Sequence, residues 1–510
     1  MKKLPIGIQS LPEIINGGYI YVDKTECLYR LIDTGKVYFF SRPRRFGKSL
    51  TVSALKEIFS GNKELFKGLW IHDKIEWKKY PVIHIDFSKI GYKDNGLLDA
   101  INVKLDDLAK EFSVRIVKDG ISKKFNELIE KVSDKQKVTV LIDEYDKPII
   151  DFIEKGQVSK ALENREILKN FYSVLNGNDD NIQFLFITGV SKFSKVSVFS
   201  DLNHLTDITI YNNYINLIGL TGDEIVTYFD DYLEAASKKH NKSKKEILLD
   251  IRDWYDGYSW NGIDFVYNPF SLINYFSKLQ FRNYWFATGT PTFLIKALKE
   301  QKKLPEQTGN ILVGDSFFDK FDIENIDIVS LMFQSGYLTM SKREGEEYYR
   351  LDFPNREVRN SFFNQLLECY SDLALSETTG SIGFIKFALE KNDWCEVVKQ
   401  FNVLFSNIPY QLFKADREFY YHSIIHTVLS LVGVDIHSEL QTSTGRIDTV
   451  VKNDKYIYVV EFKMGNASEA LKQIKEKEYY KPFLNDGRQV VLVGIGFDKE
   501  KKEIGEWLVE

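Results

Sequence analysis

At 510 residues the chain is too long for one ordinary domain, and its 44% hydrophobic, 28% charged and 14% aromatic content, with 37 Phe and 28 Tyr, excludes an extended disordered polymer. A formal net charge of -5 excludes a uniformly basic polymer binder, so any grip on nucleic acid has to come from a local patch. Cys27, Cys369 and Cys395 have neither disulfide nor metal-ligand spacing, and there is no leader-like apolar segment and no run of about 18 apolar residues, so the expectation is a cytoplasmic protein without membrane contact.

From Lys36 to about Asn213, short β-branched or aromatic runs alternate with helical stretches, the pattern of a parallel sheet covered by helices. The runs are Val37 to Phe40, Val82 to Phe87, Val138 to Ile142 and Ile182 to Ile187, with helices expected at Leu50 to Phe59, Leu97 to Phe112 and Arg165 to Leu175. The pattern predicts an α/β domain over 1–215. From about Thr221 to Phe405 the text turns mostly helical, with Asn268-Pro269 a helix start, which suggests a lid or relay region over 216–405. Polar breaks at Glu300 to Gly309, Lys342 to Glu347 and Ser376 to Gly380 read as loops or linkers. Over 406–510 the order becomes α-β-β-β-α-β: a helix from Asp416 to Leu431, strands near Asp435 to Gln441, Arg446 to Val451 and Tyr456 to Phe462, a helix from Ala467 to Lys481, and a strand from Gln489 to Ile495.

The first strand runs into Ser41-Arg-Pro-Arg-Arg-Phe-Gly47-Lys48-Ser49-Leu50. Gly-Lys-Ser alone is weak evidence, but here it follows an apolar strand and opens a helix, where loop amides and a helix N-terminus converge on phosphate. Lys48 would meet the β- and γ-phosphates of ATP and the Ser49 hydroxyl would ligate Mg²⁺, with Arg44, Arg45, Phe46, Gly47 and Leu50 completing the loop. Arg42 stands where the general loop formula has its first glycine, so the turn must be made differently. Arg44 and Arg45 either add charge for phosphate or pair with acidic neighbours. About 95 residues on, Val138 to Ile142 ends in Asp143-Glu144. Asp143 would hold Mg²⁺ through water, and Glu144 would polarise the attacking water. The strand ending in Thr188 would lie between the other two, its polar tip near the γ-phosphate.

"YVDKT" at Tyr21, "RPRRFGKSL", "LIDEYDKPI" at Leu141 and "FITGVSKFS" at Phe186 together resemble the bacterial AAA-ATPase-like family, distant relatives of the STAND NTPases. The loop arginine belongs to that family's pattern, and the resemblance implies a P-loop ATPase of additional-strand type followed by a nuclease-like domain. Whether ATP is hydrolysed or only bound stays open.

Near the carboxyl end, "GRIDTVV" with Asp448 precedes "VVEFKMG" with Glu461 and Lys463. Residues two apart on a strand share a face, so Glu461 and Lys463 project together, and an odd hairpin register would set Asp448 beside Glu461. Two adjacent carboxylates repel unless a hard cation neutralises them, so Asp448, Glu461 and the Phe462 carbonyl are candidate ligands for Mg²⁺ or Mn²⁺. This block resembles the PD-(D/E)XK nuclease superfamily. The resemblance implies metal-dependent cleavage of DNA or RNA, with Lys463 as a positioning cation and Gln473 as a helix glutamine facing the site. Glu418 either adds a carboxylate or, like Gln473, is an ordinary solvated helix position. Residues 410–510 hold 14 Lys/Arg against 16 Asp/Glu, which argues against a strong electrostatic grip of their own. The alternative is an NTP-driven switch whose last domain recognises nucleic acid or protein without cutting. A homo-oligomer is compatible with either. Trp254 to Trp260 offers base-stacking rings, but its apolar setting favours core packing.

Overall fold

The computed structural model describes residues 1–153, 156–192, 198, 199, 202, 204–285, 294, 309–318, 327–371, 375–406, 417–432, 435–442, 445–498 and 500–510; within 369–371, 375–379, 417–423, 435–442, 445 and 446 it describes the backbone alone. They fall into two compact units, one of Met1–Thr290 with Ile311–Val358, the other of Pro291–Asn310 with Arg359–Glu510. No helix among the described residues is long and apolar enough to cross a membrane.

The first unit is built on five parallel strands, β1 (Val37–Ser41), β2 (Val82–Asp86), β3 (Val138–Asp143), β4 (Ile182–Gly189) and β5 (Thr206–Asp207), in the order β2-β3-β4-β1-β5. Every residue of β1 and β3 is buried. Their sequences are therefore continuous apolar runs rather than alternating ones, as a sheet covered on both faces demands. β4 lies between β1 and β3, the additional-strand arrangement expected from the sequence. In register, Phe40 pairs with Thr188, Ser41 with Gly189 and Asp86 with Asp143, so the polar strand ends collect along one carboxyl edge.

Helices Gly222–Tyr228, Asp230–His240, Lys244–Tyr255 and Pro269–Lys278 belong to this unit and share a core of Ile247, Ile251, Tyr255, Leu272, Tyr275 and Phe276. Thr221 and Ser243 begin capping boxes with Glu224 and Glu246. Asn268 caps the last helix by accepting from Ser271 N, with Pro269 in the first turn, as the sequence predicts. Lys342 to Glu347 is not a linker. It forms the end of β7 (Thr339–Glu344) and the turn into β8 (Tyr348–Asp352), in a three-stranded sheet with β6 (Ile311–Gly314). Lys342 and Arg343 are exposed, so this strand carries charges that read as a loop.

In the second unit, Ser376 to Gly380 likewise is not a break but lies inside the helix Leu375–Glu390. Of the break expected at Glu300 to Gly309, positions 300–308 lie outside the described residues. The terminal sheet has β9 (Asp435–Thr442), β10 (Gly445–Lys452), β11 (Tyr456–Met464), β12 (Gln489–Asp498) and β13 (Glu503–Val509) in the order β13-β12-β11-β10-β9, with β11 and β12 parallel and the other pairs antiparallel. Preceded by the helix Arg417–Val432 and crossed by the helix Ala467–Glu476, this is the expected α-β-β-β-α-β order plus a fifth strand. The second helix stops at Glu476, earlier than its apolar pattern suggests, because Glu478 takes a left-handed φ of 53° and a turn follows. The helix seats directly on β12: a Cβ on Gly494 would stand 2.4 Å from Ala467 O and 2.7 Å from Leu471 N. Glycine there is what brings the next turn of the helix, and Gln473 with it, over the strand.

Candidate active sites

At the carboxyl edge of the first sheet, β1 leads into a loop that the helix Lys48–Phe59 closes, with Gly47 as N-cap at φ 104°. Only glycine adopts that conformation without strain, and it turns the chain so that the first amides of the helix face a cleft of ≈480 Å³. Arg44, Arg45, Gly47, Lys48, Ser49, Leu50 and Glu144 line the cleft. Lys48 is 5% exposed and donates to Arg42 O (2.9 Å) and Pro43 O (3.1 Å). Burial lowers its pKa, against the pull of Glu144, Asp143 and Asp146. It is a desolvated cation at the wall of a cavity, which suits a polyphosphate.

Asp143 is buried, accepts from the Thr188 hydroxyl at 2.5 Å and from Glu144 N at 3.1 Å, and so joins the ends of β3 and β4. Glu144 sits at φ 51°, a left-handed conformation costly for a side-chain-bearing residue. Burial raises its carboxyl pKa, helped by Asp143 and Asp146 and opposed by Lys48. A half-buried carboxylate of raised basicity on a cleft wall can take a proton from water. Ser49 and Asp143 offer oxygen donors suited to Mg²⁺, a hard cation.

The loop residues separate. Arg44 and Arg45 have no acidic partner among the described residues; Arg45 lies over the Phe270 ring at 3.9 Å. Phe46 turns away from the cleft into the core, edge-on to Tyr258 (4.7 Å) and Trp260 (5.5 Å), so only its backbone remains for a ligand. Tyr255, Tyr258 and Trp260 are buried, which is the core-packing reading of that aromatic run.

Two residues without a role in the sequence reading hold this site in shape. Asp146 accepts from Val190 N (3.0 Å), Ser191 N (2.6 Å) and Ser191 Oγ (2.6 Å), clasping β3 to the segment after β4. A Cβ on Gly189 would meet Tyr145 at 2.4 Å, so the clasp closes only over glycine. The spacing of Asp146 three residues after Asp143 was the available signal. Trp285 Nε1 donates to Arg44 O from across 241 positions, for which the sequence holds no local signal.

The second site lies between β10 and β11. The paired residues Thr449–Val460, Val450–Val459 and Val451–Tyr458 continue to Asp448 opposite Glu461, because Asn453 closes a tight turn by bonding Tyr456 O at 3.0 Å. Asp448 N donates to Glu461 Oε2 (3.4 Å), and Asp448 Oδ2 accepts from Phe462 N (3.0 Å). Lys463 Nζ stands 3.5 Å from Glu461 Oε1, and Gln473 Nε2 donates to the same oxygen. Glu461 is 1% exposed; burial first, and then Asp448, push its pKa up to about 7. A buried carboxyl facing a second one, with a single half-exposed lysine beside it, fits a divalent cation held by oxygen. Glu418 belongs to the helix Arg417–Val432, but its side chain lies outside the described residues. Among the described residues no group of three or more His, Cys, Asp or Glu gathers at one point. Asp448 and Glu461 would thus need the Phe462 carbonyl, water or substrate oxygens to complete a shell.

Residues 5–199 match the family model for predicted AAA-ATPases, and residues 416–507 match that of the PD-(D/E)XK nuclease superfamily. Over its whole length the chain is 36% identical to an uncharacterized protein in the vnfD 5′ region of Azotobacter chroococcum mcd 1, in an alignment that covers 100% of this chain and 99% of that protein.

Proposed function

The chain belongs to the predicted AAA-ATPase family and carries a PD-(D/E)XK nuclease-superfamily domain, and from that premise we propose that it hydrolyses ATP in its first unit and cuts the phosphodiester backbone of DNA or RNA in its second. The observation that carries the reading is the opposition of Asp448 and Glu461 across β10 and β11 with Lys463 and Gln473 on the same carboxylate.

At the first site Lys48 leaves its loop carbonyls for the β- and γ-phosphates, the Gly47–Leu50 amides orient the chain of phosphates, and Arg44 and Arg45 supply further positive charge. Glu144 takes the proton of the attacking water. Ser49 and Asp143 would hold Mg²⁺, which neutralises phosphate charge when bound. At the second site Asp448, Glu461 and the Phe462 carbonyl would hold Mg²⁺ or Mn²⁺, whose chemistry is to polarise the phosphodiester and acidify water. Lys463 orients that water or offsets charge on the scissile phosphate, and Gln473 fixes the rotamer of Glu461.

The test is incubation of the full chain with ATP, Mg²⁺ or Mn²⁺ and a mixture of single- and double-stranded DNA and RNA. Cleavage that disappears in Glu461→Ala, with ATP turnover kept, supports the reading; absence of cleavage on every substrate while ATP is turned over rejects it. The second reading, a switch whose last domain binds without cutting, draws on one observation, the balance of 14 Lys/Arg against 16 Asp/Glu over 410–510. It predicts the latter outcome.

A further inference from the structure

A second cavity, of ≈20 Å³, adjoins the phosphate loop without including any of the Gly47–Leu50 wall, and Ser41, Arg42, Lys192, Thr209, Ser330 and Gln334 form its polar lining. That is room for a single water-sized particle. Arg42, the residue that displaces the loop's first glycine, is 1% exposed. Its Nη1 donates to Ser41 O (2.9 Å) and Thr209 O (2.6 Å), and its plane lies between the rings of Phe40 (4.5 Å) and Trp260 (3.9 Å). Nε and Nη2, equally buried, have no hydrogen-bond partner among the described residues.

Among the described residues, charge in this pocket is unbalanced as well: the carboxylate that acts on Arg42 is Asp207, and Asp207 is already paired with Lys192 at 3.0 Å, so two cations share one anion. A buried guanidinium is costly without hydrogen bonds and a counter-charge. A water would satisfy the two donors but leave the charge; a monatomic anion satisfies both. Sulfate and phosphate are too large for the space.

We propose that the cavity is a halide site, in which a chloride-sized anion accepts from Nε–H and Nη2–H of Arg42. Because Arg42 O and Pro43 O are the acceptors of Lys48 Nζ, the anion would stiffen the turn that holds the loop's lysine.

The test uses the full chain without nucleotide, so that its failure is distinct from failure of the ATPase reading. Crystals soaked in sodium bromide should give an anomalous peak within hydrogen-bond reach of Arg42 Nε and Nη2. The unfolding midpoint should be about 2 °C higher in chloride than in gluconate of equal ionic strength, and the difference should saturate with chloride. Ser330→Val, which places methyl groups in the cavity, should erase that difference. A water in the cavity with no bromide peak, or equal wild-type midpoints in the two salts, overturns the proposal.

Discussion

In the first unit the critical buried charge is a cation, Lys48, held by two backbone carbonyls with no carboxylate at ion-pair distance among the described residues; in the second it is an anion, Glu461, held against another anion. The buried charge at the heart of each site is thus of opposite sign. On the proposed function, the first receives phosphate and the second a metal. They also differ in construction. Asp143 and Thr188 come from parallel strand ends and Lys48 from the start of the helix after β1, which the fold must bring together, whereas Asp448, Glu461 and Lys463 are set by one hairpin register. Preorganisation at the first site thus depends on the whole sheet, and at the second on a two-strand local geometry with a helix laid over it.

If this contrast is right, removing the base from the first site should be the most severe change. Glu144→Gln keeps shape and removes the acceptor for the water proton, so ATP turnover should fall about 10³-fold while nucleotide affinity stays within a few-fold. Phosphate release and nucleotide titration measure the two separately. A parallel loss of affinity would mean that Glu144 supports the cradle instead of the chemistry.

The electrostatic side of the contrast is readable by pH. Glu461 and Glu357 are both raised to about 7, the first by burial and Asp448, the second by burial alone, with Glu357 Oε1 accepting from Trp285 N at 2.6 Å. A raised carboxyl pKa disfavours the ionised form in the folded protein. The cost to stability accordingly begins above the ordinary carboxylate value near 4.5 and is complete by about 7. Mg²⁺ at Asp448 and Glu461 should remove the Glu461 share of that loss and leave the share that Glu357→Gln abolishes. Metal affinity, followed by calorimetry, should rise about tenfold per pH unit until pH 7, since one proton must leave. Equal effects of Mg²⁺ on wild type and Glu461→Gln would break the distinction between the sites.

Much of this architecture was legible because buried parallel strands have no alternation to hide: Val37 to Phe40 and Val138 to Ile142 announce themselves as uninterrupted apolar runs. The hairpin was legible through parity, since an odd register puts Asp448 opposite Glu461 and an even one does not. β7 and β13 were not. Both carry charge and exposed residues along an antiparallel sheet edge, where neither apolar content nor period distinguishes strand from loop. Phe46 escaped for a different reason: its neighbours in sequence line the cleft, but its ring answers to Tyr258 and Trp260, more than 200 positions away. Helix positions such as Gln473 are ambiguous in sequence because half of any surface helix is polar. What decides is the close seating of the helix on Gly494.

The smaller predictions compare positioning residues across the two units. Gln473→Ala removes one donor from Glu461 and leaves both metal-facing carboxylates, so cleavage should fall about 10-fold, with weaker Mn²⁺ binding. Thr188→Val removes the hydroxyl that Asp143 accepts, but Asp143 keeps Glu144 N, and Asp146 still clasps β3 to the segment after β4 through three donors. The redundancy should limit the loss of ATP turnover to a few-fold, at a cost in stability of roughly 1–3 kcal/mol for the acceptor left short of a partner. A 10³-fold loss would instead assign the Thr188 hydroxyl to the γ-phosphate, with its bond to Asp143 exchanged when nucleotide enters. The first site would then resemble the second in depending on one local contact.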